Sequence, residues 1–241
     1  MQRFVISAPR SGLNWVRFCT EYFYGQRTPG KTSLIDKSDR PATVFVRSHD
    51  AMAWSRKSTS GAWQQINPAS SQGGKVALIL RDPLEAFVRM ADKKLPQFRC
   101  YAGNIRFFTE AATDDKSVFY YNDLVQSPAE MKRLFDLMSF EPAEGKTVPS
   151  LSDMESQWAE VAAKSRGQYD KNQAAGGGSK TKDAPLDFKF HQRNLTDPEK
   201  MKAWRYLNRV LTDEEFALLE RFEPPAHIPK ASLFQRIADF F

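Results

Sequence analysis

The chain has 241 residues, which is enough for one sizeable core, and strand-like and helix-like segments alternate along it. No apolar run reaches membrane-spanning length and no charged-then-apolar leader precedes the first strand, so we expect a cytoplasmic protein without a membrane span. The two cysteines, Cys19 and Cys100, have neither metal-ligand spacing nor the number needed for a disulfide framework.

The net charge of +6 comes entirely from the first quarter of the chain. Residues 1–57 hold ten Lys and Arg against four Asp and Glu, whereas residues 58–241 hold twenty-five of each. A local excess of this kind suits a small polyanionic ligand or an acidic substrate at least as well as a nucleic acid duplex. A solvated basic face is the plain alternative.

The first predicted unit is a strand, a tight loop and a helix. An apolar run that begins at Arg3 stops at Pro9–Gly12, and helical spacing then covers residues 12–24. Such a loop leaves backbone N–H groups unpaired at the positive end of the helix dipole, where phosphate and sulfate groups bind. Arg10 and Ser11 add a fixed charge and a hydroxyl donor. The alternative is an ordinary turn.

A second glycine-containing segment, Gly25–Thr32, satisfies the nucleotide-binding pattern G-x-x-x-x-G-K-[ST]. Its context differs from that of a working phosphate loop, because it follows a helix, contains Pro29 and does not open a new helix. We therefore do not expect it to bind a nucleoside triphosphate, although a P-loop kinase or NTPase is an alternative function.

The second predicted strand, residues 43–48, ends in Arg47 and is followed by His49. Ligands of parallel sheets bind beyond the carboxyl ends of strands, so both side chains should lie near the first loop if the two strands are neighbours. His49 ordinarily would titrate close to neutral pH. Residues 51–74 form a long connection in which Trp54 and Trp63 contact an acceptor or cap the core.

The third strand, residues 75–80, is continuously apolar and ends in Arg81–Pro83. Pro83 suits the first position of a helix that carries Arg89 two turns along. Arg81 is thus a second strand-end cation. The alternative is a turn contact between Arg81 and Asp82, with Arg89 exposed.

The rest of the chain continues the alternation. The patterns predict a helix over 100–112, a strand over 117–121, a helix from Ser127, a helix over 150–165, a Gly-rich flexible loop over 166–185, a helix from Thr196, a shorter one over 213–221 and an apolar final helix over 234–241. His191 and His227 read as surface or turn residues. We predict a single α/β domain, residues 1–241, with a central, mostly parallel sheet of four to five strands flanked by helices and flexible loops at 51–74 and 166–185.

Four motifs, in this order, resemble those of the sulfotransferases that use 3′-phosphoadenosine 5′-phosphosulfate. Pro9–Trp15 is similar to the P-[KR]-S-G-x-x-W loop that grips the 5′-phosphosulfate, and Arg47–His49 is similar to K-[ST]-H, whose histidine is the general base. Arg81–Pro83 resembles R-[ND]-P, which binds the 3′-phosphate. Tyr121–Leu124 resembles Y-E-D-L, whose tyrosine lies near the adenine. The resemblance covers residues 1–140 and implies a fold like that of the P-loop NTPases.

The resemblance implies that a sulfuryl group passes to a hydroxyl or amine of a small-molecule or glycan acceptor, leaving adenosine 3′,5′-bisphosphate, with no metal and no nucleic-acid partner. The catalytic residues that it implies are His49, Arg10 and Arg47. The residues that it implies for nucleotide binding are Arg10, Ser11, Gly12, Leu13, Asn14, Trp15, Arg81, Arg89 and Tyr121. From spacing alone, a place in the core of the helix is nearly as good an interpretation of Trp15.

The sequence departs from the family pattern in three places. Leu13 and Asn14 stand where threonines are usual, and Arg89 stands where a serine binds the 3′-phosphate. The C-terminal R-K-G-x-x-G element has no clear match; Arg166-Gly167 and the segment with Lys180 and Lys182 are the nearest candidates. A non-enzymatic module that binds nucleic acid or anions through the basic first quarter is the third possible function.

Overall fold

The computed structural model describes residues 1–30, 35, 44–55, 61–174, 187–230 and 232, with residues 169–174 described for their backbone alone. The predicted helix over 234–241 lies entirely outside this part of the chain. Residues 175–185 of the predicted Gly-rich loop also lie outside the described part of the chain.

The described residues form four strands and eight α-helices. The strands are β1 Arg3–Ser7, β2 Val46–Ser48, β3 Lys75–Leu80 and β4 Lys116–Tyr120. The helices are α1 Leu13–Tyr24, α2 Pro83–Ala91, α3 Leu95–Glu110, α4 Tyr121–Gln126, α5 Pro128–Met138, α6 Leu151–Ala174, α7 Asp197–Val210 and α8 Asp213–Ala217. Short 3-10 turns occur at Gly61–Trp63, Pro68–Ser71, His191–Asn194 and Glu220–Phe222.

The four strands form one parallel sheet in the order β2-β1-β3-β4. Successive side chains of a strand point to opposite faces of the sheet, and here both faces carry apolar residues. Helices therefore cover both faces. Phe4 and Leu78 face a core built with α2, α3 and α7, whereas Val5 and Ile79 face a core built with α1, α5 and α6. The predicted α/β class, with a parallel sheet flanked by helices, is confirmed.

Local sequence signals set most of the helix ends. Gly25 ends α1 in the left-handed conformation with φ 64°. Asp82 caps α2, and its side chain accepts hydrogen bonds from the backbone of Leu84 and Glu85. Thr196 and Glu199 form a reciprocal capping box at the start of α7.

One helix is longer than predicted. Helix α6 runs to Ala174 and therefore occupies the first nine positions of the predicted loop over 166–185. Met154 and Val161 bury one side of the helix against α5, and its second half is rich in Ala, Lys and Gln, which favour helix. A lone Gly167 does not interrupt that tendency. Within the described residues, no helix is both long enough and apolar enough to cross a membrane.

Candidate functional site

The strand register brings the predicted strand-end residues to one edge of the sheet. Ile6 in β1 pairs with Ser48 in β2, and Ser7 pairs with Ile79 in β3. Leu80 in turn pairs with Tyr120 in β4. Because all four strands are parallel, the loop after β1 and the residues that follow β2, β3 and β4 emerge at the same edge.

The loop after β1 has the features of an anion seat. Arg10 and Gly12 both take positive φ, 65° and 105°, and helix α1 starts directly afterwards at Leu13. No side chain caps this helix N-terminus. The hydroxyl of Ser11 is fully buried and has no hydrogen-bond partner among the described residues. A buried donor that the protein leaves unsatisfied is costly, so its place beside an uncapped helix N-terminus points to a ligand.

Arg81 joins this loop to the end of β3. Its side chain is buried, and Nη1 donates a hydrogen bond to the carbonyl oxygen of Arg10 at 3.1 Å while Nη2 lies 3.4 Å from Glu85 Oε2. Its guanidinium lies 4.6 Å from the centre of the Tyr121 ring. A Cβ at Gly12 would overlap that ring. The loop, β3 and the start of α4 thus form one packed unit in which position 12 has no room for a side chain.

His49 lies on the other side of the same loop. Its Nδ1 is 2.9 Å from the carbonyl oxygen of Ser7, and because a carbonyl can only accept, Nδ1 carries the hydrogen. In the neutral ring Nε2 therefore holds the lone pair. The backbone of His49 donates to Ala62 and accepts from Asn104, and the Trp63 ring contacts the imidazole edge-on at 5.7 Å.

The surroundings of His49 favour its neutral form. Burial above all, together with the positive charges of Arg47, Arg17 and Arg10, lowers its pKa to about 4, although the hydrogen bond to Ser7 acts in the opposite direction. The expectation of titration close to neutral pH is therefore wrong for the free protein. At neutral pH the ring is an unprotonated acceptor surrounded by guanidinium groups.

The sequence-based interpretation missed Arg17. Its side chain is 4% exposed, its Nε donates to Thr28 Oγ1 at 3.0 Å and its Nη1 donates to Asn14 Oδ1 at 3.2 Å. Glu21 lies 3.8 Å away as its ion-pair partner. Burial, with Arg47 as the next cause, lowers the pKa of Arg17 to about 10. An i, i+4 Arg–Glu pair on a helix usually lies in solvent, so only the burial of this pair distinguishes it.

The described part of the P-loop-like segment, Gly25–Gly30, folds back onto helix α1. The backbone and hydroxyl of Thr28 both donate to Glu21, and a Cβ at Gly30 would overlap the guanidinium of Arg17. Lys31 and Thr32 lie outside the described residues. Up to Gly30 the segment neither follows a strand nor opens a helix, as its sequence context predicts.

The other predicted nucleotide-binding residues of the first loop, Leu13, Asn14 and Trp15, differ in exposure and contacts. Leu13 is buried in the core, so only its backbone faces the loop, and Asn14 is exposed. The indole N–H of Trp15 donates to Leu124 O at 2.6 Å, and its ring meets Trp158 edge-on at 5.3 Å. Trp15 therefore packs between helices α1, α4 and α6.

The two tryptophans of the long connection differ in their contacts. Trp54 packs against Gly103, and the guanidinium of Arg106 lies 5.6 Å from its ring, so Trp54 caps the core. Trp63 instead contacts His49, which places it at the candidate site.

A short C-terminal segment, Asp187–Leu195, adds residues that the sequence did not reveal. His191 begins the 3-10 turn His191–Asn194, as one of its two predicted settings requires, but it is 6% exposed and therefore not a surface residue, whereas His227 is exposed. Burial lowers the pKa of His191, and the nearby charges of Arg89 and Arg81 lower it further. Arg89 is half-buried in α2. The only local signal was the apolar neighbours of this histidine.

The resemblance implies a C-terminal R-K-G-x-x-G element that closes over the 3′-phosphate, and only one of its two sequence candidates lies among the described residues. Arg166 and Gly167 lie inside helix α6, and Arg166 is exposed. Lys180 and Lys182 lie outside the described residues. Among the residues with described positions, no group of three or more His, Cys, Asp or Glu side chains is arranged to hold a metal ion.

Neither a comparison with protein-family models nor a search of curated proteins finds a match to this chain. The functional interpretation accordingly depends on the residues themselves.

Proposed function

We propose that the protein is a sulfotransferase that moves a sulfuryl group from 3′-phosphoadenosine 5′-phosphosulfate to a hydroxyl or amine of an acceptor. The observation that carries the proposal is the meeting of three elements: Arg81 bonds to the backbone of Arg10, and His49 bonds to the last residue of the strand that precedes Arg10. A cationic, uncapped loop and an unprotonated imidazole thus share one strand end.

In the proposed site the loop after β1 holds the 5′ end of the nucleotide. The N-terminal amides of α1, the hydroxyl of Ser11 and the Arg10 guanidinium supply donors for the phosphosulfate oxygens. Arg81 and Arg89 lie on the side where the resemblance puts the 3′-phosphate. Tyr121, beneath Arg81, offers a ring near the adenine.

The proposed reaction is a direct in-line transfer. Nε2 of His49 takes the proton of the acceptor hydroxyl as its oxygen bonds to sulfur, while the bond between sulfur and the bridging phosphate oxygen breaks. The electron pair of that bond leaves with adenosine 3′,5′-bisphosphate. Arg10 and Arg47 are arginines and cannot donate a proton at neutral pH, so they act as fixed positive charges on the transferred group and the leaving oxygen.

The low pKa of His49 in the free protein fits a reaction in which the nucleotide binds before His49 acts as a base. In the free protein three arginines disfavour the imidazolium. An anionic nucleotide beside Arg10 and Arg47 offsets their charge and raises the pKa of His49 toward its ordinary value, which makes it a stronger base once the donor is bound. We therefore expect base strength and donor binding to be coupled.

A thermal-shift comparison tests the proposal. Adenosine 3′,5′-bisphosphate should raise the melting temperature, because a ligand that binds the folded state stabilises it, while ATP with magnesium and a duplex oligonucleotide should not. The Arg10→Ala variant should lose the shift. Stabilisation by ATP with magnesium alone would favour an NTPase, and a salt-sensitive shift with the oligonucleotide alone would favour a nucleic-acid-binding module.

A further inference from the structure

The segment Asp187–Leu195 is fastened to the strand end that carries Arg81. The backbone N–H of Gln192 donates to Glu85 Oε1 at 2.8 Å, and its side-chain amide donates to Asp82 Oδ2 at 3.0 Å. Both acceptors are buried carboxylates, Asp82 at the N-cap of α2 and Glu85 in its first turn. One residue therefore connects the segment to both acidic groups beside Arg81.

Two further contacts fix the ends of this segment. The Phe188 ring meets the Tyr121 ring edge-on at 5.7 Å, and Lys93 Nζ donates to the carbonyl of Asn194 at 3.2 Å. Phe188 thereby presses on the aromatic ring that also contacts Gly12 and Arg81. The segment covers the Arg81 side of the site, opposite His49.

Between these contacts, Arg81 and His191 still have hydrogen-bond donors without a partner among the described residues. The carboxylate of Glu85 is occupied by Arg81 and by the backbone N–H groups of Gln192 and His191, and the Nε of Arg81 is buried without a partner in the described part of the chain. The imidazole of His191 contacts the Phe190 ring, and its nitrogens make no hydrogen bond to a described residue. The positive charges of Arg81 and Arg89 both act on the His191 imidazole.

We propose that His191 is a specificity-determining residue that donates a hydrogen bond to the 3′-phosphate, together with Arg81 and Arg89. Gln192 and Phe188 act as positioning residues, Gln192 through the two carboxylates and Phe188 through Tyr121. This assignment rests on the proposed function, and it gives the chain a closing element in a segment that carries none of the four motifs.

Nearby arginines disfavour the imidazolium of His191 in the free protein, so an anion in this position would have the opposite effect. The neutral ring still has one N–H donor. His191 therefore recognises the phosphate in either protonation state.

A comparison of two nucleotides isolates this role. Titration calorimetry should show that the wild type binds adenosine 3′,5′-bisphosphate more tightly than adenosine 5′-monophosphate, which lacks the 3′-phosphate. In His191→Ala that ratio should fall about tenfold with the monophosphate affinity unchanged, as the loss of one charge-assisted hydrogen bond predicts. His227→Ala, an exposed histidine elsewhere, should keep the wild-type ratio.

A second variant guards against loss of structure. His191→Gln keeps a polar donor at the position and should restore part of the ratio. If His191→Ala weakens both nucleotides equally, or leaves the ratio unchanged while the wild type binds both, the assignment is wrong and the proposed function stands. If the wild type binds neither nucleotide, the proposed function and this assignment both fail.

Discussion

Two glycine-containing loops flank helix α1, Pro9–Gly12 before it and Gly25–Gly30 after it, and they differ in their hydrogen bonding. Pro9–Gly12 follows a strand and precedes the helix, with an uncapped N-terminus and an unsatisfied buried hydroxyl at Ser11. Gly25–Gly30 follows the helix, and the backbone N–H and hydroxyl of its Thr28 are hydrogen-bonded to Glu21 and Arg17. The loop that matches the nucleotide-binding pattern letter for letter is therefore the one in which the described hydroxyl, that of Thr28, already has protein partners.

The comparison teaches that an anion site depends on which end of a helix a loop meets. The helix dipole presents free N–H groups at its N-terminus and free carbonyls at its C-terminus. A loop after the C-terminus of α1 therefore lacks the backbone donors that a phosphate needs, whatever glycines it contains.

Substitution of the two glycines should separate the loops most clearly. Gly12→Ala should weaken adenosine 3′,5′-bisphosphate binding by at least about 100-fold and destabilise the fold by about 3 kcal/mol, because a Cβ there meets the Tyr121 ring and φ is 105°. Gly25→Ala should cost about 1 kcal/mol, the strain of a left-handed alanine, and should leave binding intact. Urea unfolding and calorimetric titration measure both effects. Equal losses of nucleotide binding in the two variants would contradict the assignment of the nucleotide to the loop before α1.

The buried pair under the second loop should matter for stability alone. Glu21→Gln removes the carboxylate charge from the buried ion pair with Arg17 and should destabilise the fold by about 3 kcal/mol, measured by urea unfolding. Its matched control is Glu160→Gln, which breaks the exposed i, i+4 pair with Lys164 and should have no measurable effect. Similar stabilities for the two variants would contradict the structural role of the buried pair.

The pH dependence of stability should report on His49. Its pKa is about 4 in the folded state and about 6.5 in the unfolded chain, so the unfolded state binds more protons between these values. Stability is complete above pH 6.5 and falls as the pH drops toward 4, with a loss from this group of about 2 kcal/mol at pH 5. Urea unfolding at pH 8 and pH 5 should show a smaller difference in His49→Gln than in the wild type. An unchanged difference would mean that His49 is not held neutral.

The smallest effect is expected at Lys31, the lysine of the P-loop pattern. Lys31→Ala should change the dissociation constant of adenosine 3′,5′-bisphosphate by less than about twofold, since its pattern follows a helix rather than a strand and so lacks the sequence context of a working phosphate loop. The Arg10→Ala variant, measured by the same titration, supplies the contrast. A loss on Lys31→Ala as large as that on Arg10→Ala would assign the ligand to the second loop.

The parts of the fold that follow from local signals were predictable. The apolar run of β3, the proline at the start of α2 and the glycine at the end of α1 each specify their element without tertiary context. The meeting of Arg47 and His49 with the first loop was predicted conditionally, and the pairing of β1 with β2 supplies the condition.

The rest depends on long-range packing. The burial of Arg17 and His191 is invisible in the sequence, since each becomes distinctive only when a distant segment covers it: Thr28 and Gly30 in one case, helix α2 in the other. The end of α6 was missed because polar helix-forming residues and polar loop residues have similar composition.

A crystal structure of the protein with adenosine 3′,5′-bisphosphate tests the central claim most directly. We predict the 5′-phosphate at the backbone N–H groups of Gly12 and Leu13, with the 3′-phosphate beside Arg81. Density for a phosphate at Gly25–Thr32, or for the nucleotide away from the carboxyl edge of the sheet, would contradict it.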